Sequence, residues 1–235
     1  MEIITLKITN YKEKDGIIEA ISPDGVISLL CRGLYDPKSK NAILNNPLTI
    51  ADVETSSGKY KYPVISGSML INSPMKTGAD LTYMSIVMLL QEATNFLLGE
   101  EEKPLIYNFL KGAIEELRKG TNPLKIAISY LSKVLKISGY DFGVNECVMC
   151  GSKKNIVTFS FNDGGFICSN CYTPDIPKLF NKAQMFALRE AFLSENTSIS
   201  HTEINDDEMI FLLHKFKEFI QDSYGYHMKA LDLLK

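Results

Sequence analysis

Two cysteine pairs, Cys147/Cys150 and Cys168/Cys171, constrain this chain more than any other feature. Each pair has two residues between its members, and 17 residues separate the pairs. A two-residue spacer folds into a tight turn that points both thiolates at one metal. Two such turns together supply the sulfur tetrahedron that Zn²⁺ prefers. A disulfide framework is the competing reading, and the N-terminus argues against it. Residues 1–20 are charged and strand-like with no apolar core segment, so no secretory signal is expected and the thiols belong in a reducing, cytoplasmic setting. One structural Zn²⁺ on Cys147, Cys150, Cys168 and Cys171 is therefore expected, with no coordination position open to water or substrate.

The stretch between the pairs supports this. Val157, Phe159 and Phe161 alternate with Thr158 and Ser160, the period of a strand with one buried face. Asn162-Asp163-Gly164-Gly165 suits a hairpin turn, and Phe166-Ile167-Cys168 reads as the returning strand. Gly151 suits a knuckle closing around sulfur. These features describe a zinc ribbon. A catalytic alternative exists in His201-Thr202-Glu203, which matches the His-x-Glu fragment of zinc deaminases. In those enzymes the fragment precedes the Cys pair, whereas here it follows, and the second pair would be left without a role. Cys31 lies in the apolar run Val26 to Cys31 and reads as a buried small hydrophobe.

Beyond the ribbon, the period of the apolar residues divides the chain. Ile4, Leu6 and Ile8 alternate with polar neighbours, Ser22-Pro23-Asp24-Gly25 marks a turn between two further runs, and Leu48–Glu54 and Tyr60–Ile71 follow, with Ser56-Ser57-Gly58 as a hairpin. Five short strands match a small closed barrel, OB-fold or SH3-like, which pattern alone does not separate. From Asp80 the period becomes helical, with helices expected from Asp80, over Pro104–Lys119, from Pro123 to Ser138, over Asn181–Leu193 and over Asp206–Ser223. The stretch Leu81–Leu98 is interrupted by polar residues and reads as a core helix, so no membrane span is expected. The expected fold is α+β: an N-terminal barrel over 1–78 and an α-helical domain over 79–235, with the ribbon inserted at 144–174. Net charge is 0 over residues 1–75, −1 over 76–146 and −2 over 147–235. No segment is a basic slab, so any nucleic-acid contact must be a local patch.

Barrel, helices, four-cysteine ribbon and further helices, in that order, resemble the RecO family of bacterial recombination mediators over nearly the whole chain. Asn10-Tyr11-Lys12-Glu13-Lys14-Asp15 is similar to that family's Tyr-x-Glu-x-Asp turn. Cys31 to Ser39 resembles its Lys-Gly-x-Arg-x-Pro-x-Ser segment, although Leu34-Tyr35 stands where the family usually has a small residue and a second Arg. The two Cys knuckles with Gly151 and Gly164-Gly165 look like its ribbon, and Tyr226-His227-Met228 with Ala230-Leu231 looks like its C-terminal pattern. The resemblance implies an OB-fold and a non-enzymatic, cytoplasmic, nucleoid-associated protein. It further implies binding of single- and double-stranded DNA, annealing of complementary strands, and loading of RecA, together with RecR, onto strands coated by single-stranded-DNA-binding protein, whose acidic C-terminal tail is a further partner.

On the residues themselves, Arg32, Lys38 and Lys40 cluster around one barrel loop and can hold phosphates, with Tyr35 as a stacking face. Lys111, Arg118, Lys125 and Lys133 are candidate cations for the tail. The alternative is a zinc-ribbon adaptor that contacts proteins and no DNA, which the neutral N-terminal segment favours.

Overall fold

The computed structural model describes residues 1–56 and 61–234. Ser57 and Gly58 of the expected hairpin, and Tyr60 at the start of the last expected barrel strand, lie outside them. Five strands close a barrel: β1 (Glu2–Asn10), β2 (Gly16–Ser22), β3 (Gly25–Cys31), β4 (Ile50–Ser56) and β5 (Val64–Asn72). Their order is β1-β2-β3-β5-β4, with β4 returning to β1 and β3 meeting β5 in parallel, which is the order of an OB-fold. The turn at Pro23-Asp24 forms as expected, with Ser22 opposite Gly25. A short 3-10 helix, Lys40–Asn45, capped by the Ser39 side chain, leads from β3 towards β4.

β1 serves two cores. Ile3 points into the barrel with Ile18, Ala20, Leu29, Cys31 and Val53. Ile4 and Leu6 point out of it, into the core of the helices. Simple alternation therefore misses the burial pattern: Ile3 to Leu6 are all buried, and a register shift between Thr5 and Lys7 flips the parity so that Ile8 packs against the barrel core again. Cys31 is fully buried in that core, and burial, aided by the Asp15 charge, pushes its thiol up to about 12.

Helices α1 (Leu81–Leu97), α2 (Lys103–Lys119) and α3 (Pro123–Ile137) precede the ribbon, and α4 (Lys182–Leu193) and α5 (Asp206–Tyr224) follow it. Their ends carry the expected signals. Asp80 Oδ1 accepts from Tyr83 N at 2.7 Å, Asn122 Oδ1 from Leu124 N at 2.9 Å, and Gly120 ends α2 at φ 91°. A closing 3-10 helix, Lys229–Leu233, buries Ala230 and Leu231 against α1. Glu92 of α1 anchors it by accepting from Lys229 N, Ala230 N and the Tyr226 hydroxyl at 2.8–3.0 Å.

The barrel is bound to the helices by polar as well as apolar contacts. Gln91 Nε2 donates to Leu6 O at 2.6 Å, and Lys111 Nζ and the Tyr107 hydroxyl both donate to Glu2. Lys103, only 7% exposed, donates to Glu19 at 3.1 Å. Among the described residues no helix is long and apolar enough to cross a membrane.

Candidate metal centre and nucleic-acid interface

The ribbon forms from β6 (Ile156–Ser160) and β7 (Gly165–Cys168), antiparallel and joined by the expected turn, where Gly164 and Gly165 adopt φ of 85° and 149°. Gly165 is required by space as well as conformation. A Cβ there would stand 2.2 Å from Gly143 O, because Gly143 and Gly165 form a backbone bridge. The expected single buried face of β6 is only half the pattern: Phe159 is buried, but so is Thr158, whose hydroxyl donates to Pro177 O at 3.2 Å. A register shift between Ile156 and Thr158 and the covering 177–180 segment explain the difference. Phe159, Phe161 and Phe166 join Phe142, Phe180, Phe192 and Phe219 in one edge-and-face aromatic cluster that holds the hairpin against α4 and α5.

At the open end of the hairpin the two knuckles meet. Gly151 N donates to Cys147 O at 2.8 Å, with Gly151 at φ 72°, and Tyr172 N donates to Cys168 O at 2.9 Å. The four sulfurs lie within 4.8 Å of one another, with Cys150 and Cys168 at 3.6 Å. Four thiolates about 2.3 Å from one ion would stand about 3.8 Å apart, so the knuckles are already set for a tetrahedral metal. The charges lead to the same conclusion. Burial works against a thiolate at Cys147, yet backbone N–H groups of Cys168, Met149 and Cys150 bring it down to about 6, while Cys150 and then burial push Cys171 up to about 12. Opposite shifts of neighbouring thiols mean that the four do not all ionise on their own at this spacing, and a cation held between them would let all four act as thiolates.

His201 does not join them. Among the described residues the four cysteines are the only group of three or more metal-capable side chains. The His201 backbone N–H, with those of Ser200 and Thr202, donates instead to Glu190 on α4. Burial opposes the Glu190 charge, but these donors outweigh it and hold the carboxyl below its ordinary range.

The four barrel residues singled out by sequence lie on one rim. Arg32, Lys38 and Lys40 are exposed and Tyr35 is half-buried. The loop after β3 packs on the β1–β2 turn: Gly33 N donates to Asp15 Oδ1 at 2.9 Å, Tyr35 N to Lys14 O at 3.1 Å, and Lys14 pairs with Asp36 at 3.1 Å. The Tyr35 hydroxyl donates to Asn10, and its ring shares a shallow pocket with Tyr11 and Lys12. Tyr11 and Lys12 belong to this rim although sequence spacing sets them some 20 residues from Arg32; only the pairing of the two loops joins them. Of the candidate tail cations, Lys111 pairs with Glu2, Lys133 pairs with Glu195, Arg118 donates to Met75 O, and Lys125 is half-buried.

Comparison with known proteins adds to this geometry. The family model described as "Recombination protein O C terminal" matches residues 78–221. The DNA repair protein RecO of Bacillus subtilis (strain 168) is 24% identical over 234 residues, covering 97% of this chain and 91% of that protein. That of Mycoplasma mycoides subsp. mycoides is 28% identical over 242 residues, covering 98% and 94%. A third, from Thermoanaerobacter sp. (strain X514), is 30% identical over 175 residues, covering 72% and 69%. With a barrel in OB order, a four-cysteine ribbon between helices and a match over most of its length, the chain belongs to the RecO family.

Proposed function

We propose that this chain is a recombination mediator without a catalytic centre, which binds single- and double-stranded DNA, anneals complementary strands and, with RecR, helps load RecA onto strands coated by single-stranded-DNA-binding protein. Membership of the RecO family supports the role in DNA repair. The observation that carries the DNA contact is the paired-loop rim at one end of an OB-order barrel, where Tyr11, Lys12 and Tyr35 share one pocket and the Tyr35 loop also exposes Arg32 and Lys38. Aromatic rings on a cationic rim suit bases and phosphates of a single strand. Annealing then needs no chemistry: charge neutralisation and proximity bring two strands together.

The test is annealing of two complementary oligonucleotides across a salt series, with and without RecR. Binding and annealing that weaken with salt are expected, and Arg32→Glu with Lys38→Glu should weaken single-strand binding and flatten its salt slope by about 2. Failure to bind or anneal in either condition would leave the second reading, a protein-binding adaptor. What favours that reading is acidic dilution of the rim by Glu13, Asp15 and Asp36.

For the ribbon we infer one Zn²⁺ on Cys147, Cys150, Cys168 and Cys171, which when bound cross-links the two knuckles. For the acidic tail, the engaged state of three of the four cations on α2 and α3 argues for another surface. α4 exposes Lys182, Phe186, Arg189 and Leu193 along one face beside a groove of about 790 Å³. Alternating cations and apolar side chains suit an acidic peptide with an aromatic end. Phe186→Asp should abolish binding of such a peptide, measured by fluorescence anisotropy, and unchanged affinity would remove α4 from the contact.

A further inference from the structure

A second cleft lies at the seam between barrel and helices, away from the paired loops. Residues 88, 92 and 96 of α1 fall on one helix face, and that face looks across to the outer side of β1. The space between them, closed by the start of α2 and the segment after α5, is about 670 Å³. Pockets of this size hold small organic ligands.

Its lining has an unusual balance. Phe96 stacks on Tyr226, with ring centroids 4.6 Å apart and planes at 17°, yet Phe96 keeps 60% of its surface exposed. Two carboxylates border the cleft, and both are occupied: Glu19 by Lys103, and Glu92 by its three donors at the C-terminal 3-10 helix. Two further cations, Lys7 and Lys229, are exposed and have no carboxylate partner among the described residues. Three lysines against two carboxylates leave the cleft net positive, with its unpaired charge at the edges and an open aromatic face between them.

We propose that this cleft is a subsite for single-stranded nucleic acid, in which one unstacked base lies on Phe96 and the flanking phosphates are held by Lys7 and Lys229. It rests on the reading of the barrel loops as a DNA contact and extends it. β1 joins the two places: Lys7 lines the cleft, while Asn10 and Tyr11 line the loop pocket. At about 3.4 Å per residue, Lys7 and Tyr11 are about 14 Å apart, a span a short run of nucleotides can bridge. A strand held at both ends of β1 would cross from barrel to helices with lysines on its phosphates and rings on its bases, and such contacts read no sequence.

The experiment measures affinity of the full chain for two oligothymidylates, one of about 4 nucleotides, short enough for the loops alone, and one of about 16 carrying a single 2-aminopurine. Phe96→Ala is expected to weaken the longer oligonucleotide about 10-fold, the order of one lost base stack, and to leave the shorter one unchanged. Its quench of 2-aminopurine emission should fall, and Phe96→Tyr should restore both. Lys7→Gln with Lys229→Gln, which touches neither ring, should lower the salt slope for the longer oligonucleotide by about 2. Wild-type affinity, quench and salt slope in all these variants, with the Arg32/Lys38 reversal still weakening binding, would overturn the cleft and leave the loop contact standing. Absence of binding by the wild-type chain to either oligonucleotide would overturn both.

Discussion

Gly165 and the cysteines show how little freedom single residues have in the ribbon. A methyl group at Gly165 meets Gly143 O at 2.2 Å in a backbone conformation that side chains avoid. Gly165→Ala should therefore lower stability by about 2–3 kcal/mol, measured by urea denaturation. Cys147→Ser and Cys171→Ser should each lower metal content below one per chain and destabilise the helices, because ligand loss removes folding free energy. A zinc-free double variant with wild-type stability would contradict that. Glu190 gives a pH signature. Its carboxyl titrates below the ordinary 4.5 because three backbone N–H groups and the Thr202 hydroxyl donate to it. The stability this contributes is present in full above about pH 4.5 and is lost as pH falls through the depressed folded-state value. Protection of the amides at residues 200–202, taken relative to their intrinsic exchange rates, should fall over that acidic window in the wild type, and Glu190→Gln should remove the dependence.

At the scale of elements, helix boundaries were legible because they are local. Asp80, Asn122, Asn181 and Gly120 act through bonds to residues within a few positions, and each caps as its residue type suggests. The five strands and the ribbon hairpin were legible from alternation and turn residues. What alternation did not disclose was which neighbour covers each face. Thr158 is buried by Pro177, and Ile4 by helices some 80 residues later, so one period served two different environments. The final 3-10 helix has no helical periodicity of its own to announce it; its anchor is Glu92, more than 130 residues earlier. Glu92→Ala removes charge-assisted bonds from two backbone donors and the Tyr226 hydroxyl and should cost about 2–4 kcal/mol, with hydrogen exchange at Lys229 and Ala230 approaching the unfolded rate. The candidate site was legible in proportion: the cysteines by spacing, the rim by one of its two loops, and the seam cleft not at all, since its walls come from six separate segments.

The whole molecule is built around a shared core. Ile4, Leu6, Ile21, Leu48 and Ile50 of the barrel belong to the same cluster as the helices. Heat or urea should unfold barrel and helices together, so that fluorescence of an extrinsic probe on the barrel and far-UV circular dichroism give coincident transitions. Two separated transitions would show that the polar and apolar seam is weaker than its contacts suggest. The same seam fixes the loop rim and the cleft on one rigid frame, so a strand touching both meets a preset spacing rather than two mobile domains.

The parity flip in β1 carries a consequence for heredity and for engineering. Because neighbouring side chains of one strand answer to different cores, the barrel is not an interchangeable cassette. A chimera taking its barrel from a relative would inherit an interior that suits itself and an exterior matched to foreign helices. Viable recombinants would have to import the outward set, Ile4, Leu6, Ile21, Leu48 and Ile50, along with the α1 surface it meets. Deleting Leu6, the residue between Thr5 and Lys7, would restore simple alternation and keep Ile8 on the barrel side, but it would bring the Lys7 side chain to the place in the helical core that Leu6 fills.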